Sequence, residues 1–365
     1  MSGTSADGVD AAIVEIAGHG LDMLAKLIHH EHRPYEPQLR QTIFQIRESG
    51  ATELSTLARC GRDISRAYAD AIREAVRKAA LSGHNLAAVA AHGQTLYHLP
   101  PDTIQWLDPS VIAAEVGCRV VSDFRRTDCA AGGQGAPLVP FADYILFRHK
   151  TMARAVVNIG GIANVTCLFP DSPLEAILAF DVGPGNCISD YLMRQHNPNG
   201  PGVDLDGNLA TSGTVHRGLY EAVDSDSYFR ASGPKSTDGP AMIGIFLDAR
   251  QRVGGSIPLA DQLATACAVT ASQIVRGLSV FGGHFKGEVI VGGGGTQNRQ
   301  IMNLLARHVC GGLKTTDDLG VPSQAREAMA FALLGAATLD GVPSNVPSCT
   351  GAKRAVVLGS ITPVP

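Results

Sequence analysis

The sequence is short of the features that announce several common functions. Its 30 lysines and arginines against 34 aspartates and glutamates leave a formal net charge of -4, and the basic residues are spread rather than clustered. No electrostatic footprint of a nucleic-acid or anionic-membrane partner is visible, so the expected partner is a small molecule. The eight cysteines, at positions 60, 118, 129, 167, 187, 267, 310 and 349, contain no C-x-x-C pair and no Cys/His spacing suited to zinc. Reduced thiols in a cytoplasmic protein fit that pattern best. No run of eighteen apolar residues occurs, and Met1 is followed by neither a basic segment nor an apolar export segment, so neither secretion nor membrane insertion is expected. Neither G-x-G-x-x-G in a βαβ unit nor G-x-x-x-x-G-K-[ST] is present, which removes the main support for a dinucleotide fold or a P-loop.

Glycine, by contrast, is abundant at 41 residues, and only 18% of residues are charged, which points to many tight turns around a well-buried interior. A chain of 365 residues exceeds what one compact core usually covers. Two domains with a ligand cleft between them are therefore expected. The periodicities alternate strand and helix, giving an α/β class. A long amphipathic helix is predicted over 53–81, stopped by Ser82-Gly83, and a second over 259–281. Shorter helices are predicted over 111–116 and 297–308, and strands over 86–91, 119–121, 155–159, 178–181 and 288–291. The stretch 122–140 reads as irregular and as the crossing between domains, with a hinge near Arg126–Gly135. The Pro-rich segment 341–348 returns the chain to the first domain. The expected domains are 1–126 with 345–365, and 127–344.

Two bends carry most of the functional signal. Met1–Gly8 and Asn158–Asn164 are glycine-rich, bear hydroxyls or amides, and run directly into alternating apolar segments. Each reads as a β-hairpin bend whose successive N–H groups could converge on a phosphate, although most glycine bends merely reverse a chain. Asp181 ends an apolar strand before Val182-Gly-Pro-Gly-Asn186. A carboxylate fixed by a strand beside a loop poor in side chains suits a general base; the alternative is an aspartate that caps the following turn. Gly292–Gly295 lies between a strand and a helix, where bare backbone could admit a nucleotide or serve only as a packing turn. His92 and Gln94 follow a buried strand, where α/β proteins place ligands, but His92 could equally be a strand-end histidine bonded to backbone. Arg125 or Arg126 could be a structural ion pair, and Glu327 a first-turn helix charge facing Arg326. His29, His30 and His32 read as a solvated edge rather than a metal site.

Taken in order, the segments MSGTSADGVD, AHGQTLYHLP, DPSVIAA, VVSDFRRTDCAAGGQGAPLVP, VNIGGIANVT, FDVGPGN, DLDGNLA, GPKST, VIVGGGGTQNRQIM, REAMAFALL and TGAKRAVVLG resemble the anhydro-N-acetylmuramic acid kinases across essentially the whole chain. These belong to the actin- and hexokinase-like (ribonuclease H-like) superfamily. The resemblance implies two domains of that fold, with ATP, Mg2+ and an anhydro sugar in one cleft, and a homodimer. It implies ATP contacts from Gly3, Thr4, Ser5, Ala6, Asp7, Gly8, Val9 and Asp10, and from Asn158, Gly160, Gly161, Asn164, Gly183, Gly293 and Gly294. It makes Asp181 the base that activates water, and His92, Gln94, Arg126 and Glu327 the expected substrate contacts. No magnesium ligand is assigned. The chain departs from the pattern in four places. The apolar strand usual before the MSGTS bend is missing, for which a reading frame started too late is the favoured explanation. Val182 replaces a threonine, Leu107 a glycine, and Asp238-Gly-Pro follows PKST in place of a glycine-arginine pair.

Overall fold

A computed structural model gives the fold and describes residues 1–81, 86–231, 235–282 and 285–365. The chain forms two α/β units, Met1–Leu146 with Ala325–Pro365, and Phe147–Gln324. The expected helix stop at Ser82-Gly83 lies outside the described residues.

In the first unit, β1 (Gly8–Ala17) pairs antiparallel with β2 (Leu24–Pro34), and the register slips between Ile13 and Val14. The helix Leu54–Lys78 buries Ile64, Tyr68, Ala71 and Ala75, three or four residues apart, which is the stripe its sequence advertises. A second sheet has the order β12 (Ser360–Thr362), β6 (Val120–Ser122), β3 (Val89–Ala91), and a separate hairpin joins β4 (Gln94–Leu99) to β5 (Asp102–Trp106). The helix Arg326–Leu339 is buried almost all round. Met1 exchanges both main-chain hydrogen bonds with Asp10, at 2.7 and 2.8 Å, closing the first bend with one rung. Beyond that rung, a groove of about 870 Å3 separates β1 from β3; Ile13, Ile16, Ile72, Val89, Ala336 and Leu339 contribute to its apolar wall.

The second unit is built on one five-stranded sheet in the order β11 (Leu313–Thr315), β10 (Glu288–Gly292), β7 (Arg154–Ile159), β8 (Ile162–Leu168), β9 (Leu178–Pro184). Strand β10 is parallel to β7 and β11, whereas β7, β8 and β9 form an antiparallel meander. The helix Leu259–Gly277 covers the sheet through Leu263, Ala266, Cys267 and Ile274, then tightens into a 3-10 turn over Leu278–Phe281. By length and composition Leu259–Phe281 could cross a membrane, but most of its apolar stretch is buried in this core.

The segment 122–140 is not irregular throughout. It holds the helix Phe124–Ala130 and lies inside the first unit, because the chain leaves that unit after Leu146 and re-enters it at Ala325. The reason is visible at Asp128, fully buried, which accepts from Asn345 Nδ2 and Thr350 Oγ1 (both 2.8 Å) and from the Gly135 amide (2.8 Å). Two bonds from the distant 345–350 segment and one from Gly135 itself fasten the Gly132–Gly135 loop to the body of the unit.

Candidate active site

The Met1–Gly8 bend is gripped from behind. Four of its carbonyls accept from donors in the body of the first unit or the bend itself: Gly3 from Gln94 Nε2 (3.0 Å) and the Ala6 amide (3.2 Å), Thr4 from Arg47 Nη1 (2.5 Å), Ala6 from Arg40 Nε (3.1 Å), and Asp7 from the Tyr35 amide (3.1 Å). Ser2, buried, donates to Gln94 Oε1 at 2.6 Å. Gly8 passes so close to β2 that a Cβ there would stand 2.3 Å from the Arg33 carbonyl oxygen. With four of its carbonyls engaged and Thr4, Ser5 and Asp7 exposed at its tip, the bend has the polarity that anion-binding backbone requires. Ser5 donates to Asp7 at 2.8 Å, which orders that tip. Val9 is buried behind the bend. Burial pushes the Asp10 carboxyl up, but bonds from His30 Nε2 (3.0 Å) and His32 Nδ1 (3.1 Å) outweigh it and hold the group below its ordinary value. Those histidines thus form an edge pair on Asp10, and no metal-holding cluster occurs among the described residues.

The predicted substrate contacts of this unit divide into two kinds. His92 and Gln94 are buried and already partnered. Nδ1 of His92 donates to the Gly93 carbonyl (2.8 Å) and Nε2 accepts from Arg125 Nε (2.9 Å). Burial first, and then the Arg125 charge, hold His92 well below its usual pKa, so the ring is neutral. Arg126 and Glu327 are exposed. Arg126 pairs with Asp123 at 2.7 Å, while Arg326 turns inward onto Asp143 at 2.6 Å and leaves Glu327 in the first helical turn at the surface. It is Arg125, not Arg126, that the fold builds in: it is half-buried, donates to the Gly135 carbonyl at 2.8 Å, and the Glu327 charge partly offsets the lowering of its pKa by desolvation. Sequence alone left the two arginines equivalent; only the facing of a seven-residue helix separates them.

Within the second unit three glycine turns meet at the carboxyl ends of parallel strands, where α/β sheets bind ligands. The first is the Gly160-Gly161 turn of the β7–β8 hairpin, with Asn158 opposite Asn164 in its register. Its carbonyls accept from the Gly185, Asn186 and Cys187 amides at 2.8 to 3.0 Å, and a Cβ on Gly185 would lie 2.2 Å from the Gly160 oxygen. Gly293, at φ 82°, lays the third turn against Ile159 and the Asn158 side chain. Thus Asn158, Gly160, Gly161, Gly183, Gly293 and Gly294 gather at one edge, while Asn164 pairs with Asp181 across β8 and β9.

Asp181 is anchored twice by a segment the sequence reading gave no role. Its amide donates to the Lys235 carbonyl (2.9 Å), and its Oδ2 accepts from the Thr237 amide (3.0 Å) and Ser236 Oγ (3.2 Å). Burial raises its pKa, and these two bonds oppose the rise. Val182 points to the other face of the strand, buried against Gly277, so the missing threonine hydroxyl belongs to the core side rather than the Asp181 side. Asp238, where the sequence departs from the familiar pattern, caps the helix Gly239–Val253 through the Ala241 amide at 2.8 Å, with Pro240 in its first turn. On the helix Cys187–His196, which follows β9, Asp190 has its carboxyl pushed up to about 6 by burial, against the pull of Arg194.

Comparison with known proteins bears on the whole chain. The anhydro-N-acetylmuramic acid kinase family model matches residues 1–364. Proteins named anhydro-N-acetylmuramic acid kinase are similar over their full length: that of Cupriavidus pinatubonensis is 40% identical over 372 residues, covering 100% of this chain and 97% of its own, and that of Caldanaerobacter subterraneus subsp. tengcongensis is 35% identical over 377 residues, covering 99% and 95%. Among solved structures, a ROK family glucokinase from Streptomyces griseus in complex with glucose and AMPPNP aligns over 89% of this chain and 97% of its own, at 13% identity and a TM-score of 0.38. The bends, the Asp181 strand end and the Gly292–Gly295 turn all fall inside the matched span, and the chain belongs to the anhydro-N-acetylmuramic acid kinase family.

Proposed function

We propose that this protein is a cytoplasmic ATP-dependent kinase of cell-wall sugar recycling, which opens 1,6-anhydro-N-acetylmuramic acid with water and phosphorylates O6, releasing N-acetylmuramic acid 6-phosphate and ADP. Family membership over residues 1–364 is the observation that carries this reading. Bound ATP with Mg2+ supplies the γ-phosphoryl group and neutralises charge as it is transferred. In the first unit the Met1–Gly8 bend, with four carbonyls engaged and hydroxyls outward, suits a phosphate group; in the second, Gly160, Gly161, Gly293 and Gly294 offer backbone to a nucleotide, and nothing lies within 4 Å of a Cβ placed on Gly161 or Gly294. Asp7, exposed at the bend, is the carboxylate nearest that role for a cation borne mainly by phosphate oxygens.

Asp181 takes a proton from the attacking water through Oδ1, since Oδ2 is occupied by Ser236 and Thr237. Oxygen of that water bonds to the anomeric carbon, the carbon's bond to O6 breaks, and O6 bonds to the γ-phosphorus as ADP leaves. A base raised by burial yet held ionised by two donors is suited to proton abstraction near neutral pH, a contribution of about 10²- to 10⁴-fold. His92 holds the sugar side of the first unit in shape and Gln94 its phosphate bend, with Arg126 and Glu327 offering surface charge to the substrate. Purified protein with ATP, Mg2+ and the anhydro sugar should yield one ADP per sugar 6-phosphate. Faster turnover of an anhydro sugar lacking the lactyl and N-acetyl groups would assign the enzyme to that simpler substrate instead.

A further inference from the structure

Asp181 lies on β9, at the end of the sheet order, and its main chain is not left bare. Lys235–Thr237 lies along it: the Asp181 amide donates to the Lys235 carbonyl at 2.9 Å, and the Thr237 amide returns a bond to Oδ2 at 3.0 Å, with Ser236 Oγ on the same oxygen at 3.2 Å. Both donors sit on one carboxylate oxygen. The segment is itself fixed, because Lys235 Nζ donates to the Tyr228 carbonyl at 2.9 Å and lies 4.2 Å from the centre of the Tyr228 ring. Behind it, Arg276 Nη1 donates to the Phe229 carbonyl at 2.8 Å and ties the short helix Ser227–Arg230 to the helix Leu259–Gly277.

We propose that Lys235-Ser236-Thr237 is a carboxylate clamp: Ser236 and Thr237 are positioning residues that hold Oδ2 of Asp181 and thereby assign Oδ1 to the proton of the attacking water, while Lys235 fixes the clamp. This rests on the reading of Asp181 as the base. The titratable groups around the carboxylate are Tyr228, whose hydroxyl burial pushes up to about 12 and so keeps neutral, Lys235, and Arg276, which is paired with Asp224 at 2.9 Å; β8 presents the uncharged Asn164. Each bond to Oδ2 favours the ionised form. Removing one therefore raises the pH at which the base becomes active.

The experiment is the pH profile of kcat/KM for the sugar in Ser236→Ala, with Ser236→Thr as the variant that restores a hydroxyl. Ser236 is exposed, so the fold does not depend on it. In Ser236→Ala the acid limb should move up by about half to one pH unit, a three- to tenfold loss below the limb, while the alkaline plateau and the KM for ATP stay within about twofold. Ser236→Thr should restore the wild-type limb. A Ser236→Ala profile superimposable on wild type, alongside an inactive Asp181→Asn, overturns the clamp alone. Turnover by Asp181→Asn at the wild-type rate overturns the base assignment and the clamp with it.

Discussion

Gln94 separates a residue that holds the phosphate bend from one that touches sugar. It is fully buried at the start of β4, and its amide spans two residues of the bend, accepting from Ser2 Oγ at 2.6 Å and donating to the Gly3 carbonyl at 3.0 Å. In Gln94→Ala the Gly3 carbonyl, half-buried, can find water, but the Ser2 hydroxyl is enclosed and loses its acceptor. An enclosed unpaired hydroxyl costs about 1–3 kcal/mol, and the lost side-chain volume adds roughly 1 kcal/mol. A loss of about 2–3 kcal/mol should lower the melting temperature of a unit of this size by roughly 5–10 °C. The kinetic consequence falls on the nucleotide. Ordering a loosened bend is charged to ATP binding at tenfold for every ~1.4 kcal/mol, so the KM for ATP should rise about tenfold. The KM for the sugar should move less than about twofold. Steady-state kinetics with each substrate varied in turn decides between the two roles. An unchanged KM for ATP with a raised KM for the sugar would return Gln94 to the sugar and refute the reasoning from its hydrogen bonds.

Three further expectations follow from burial and charge. Val182→Thr restores the family's usual residue, yet it places a hydroxyl in the core against Gly277, so thermal unfolding should show about 1–2 kcal/mol of lost stability and kinetics no gain in kcat. Asp143→Ala removes the carboxylate paired with the buried Arg326 guanidinium and should cost about 3–5 kcal/mol in denaturant unfolding, most of it recovered by also changing Arg326→Met. Asp190 has a folded pKa raised to about 6, so the native state holds its proton over a range where the unfolded chain has released it, and this group's contribution falls as pH rises from about 4 to 6. Its shift is worth ~3 kcal/mol undiscounted, and partial exposure reduces that to roughly 1–2 kcal/mol. Asp190→Asn should therefore be more stable than wild type at pH 7.5 by that amount and show a flatter stability profile below pH 6; equal stability at both pH values would contradict the buried-charge account.

Much of the fold was legible because local pattern and tertiary burial agree. The stripe Ile64, Tyr68, Ala71 and Ala75 predicts both the helix and its buried face, and Asn158–Asn164 predicts the β7–β8 hairpin around Gly160-Gly161. What could not be read depends on contacts far apart in the chain. The loop after Arg126 looked like an interdomain crossing because its glycines cluster, but Asp128 is fastened by Asn345 and Thr350 more than two hundred residues away. Arg125 and Arg126 carry the same charge side by side, and only packing turns one toward His92 and the other toward Asp123. The Lys235–Thr237 segment offered no periodic signal, since its bonds to Asp181 run largely through backbone groups shared by every sequence. The helix Gly239–Val253 went unpredicted although a local signal was there: an aspartate before Gly-Pro and an apolar run is a helix start.

The central claim is that the Asp181 carboxylate activates the water whose attack is coupled to phosphoryl transfer. The most direct measurement is single-turnover formation of sugar 6-phosphate and ADP from ATP, Mg2+ and 1,6-anhydro-N-acetylmuramic acid by wild type and Asp181→Asn, with ATP affinity measured on both. The account predicts that the variant binds ATP as wild type does and forms neither product, at least about 10²-fold below wild type. Sugar phosphate formed by Asp181→Asn within about tenfold of the wild-type rate would contradict it.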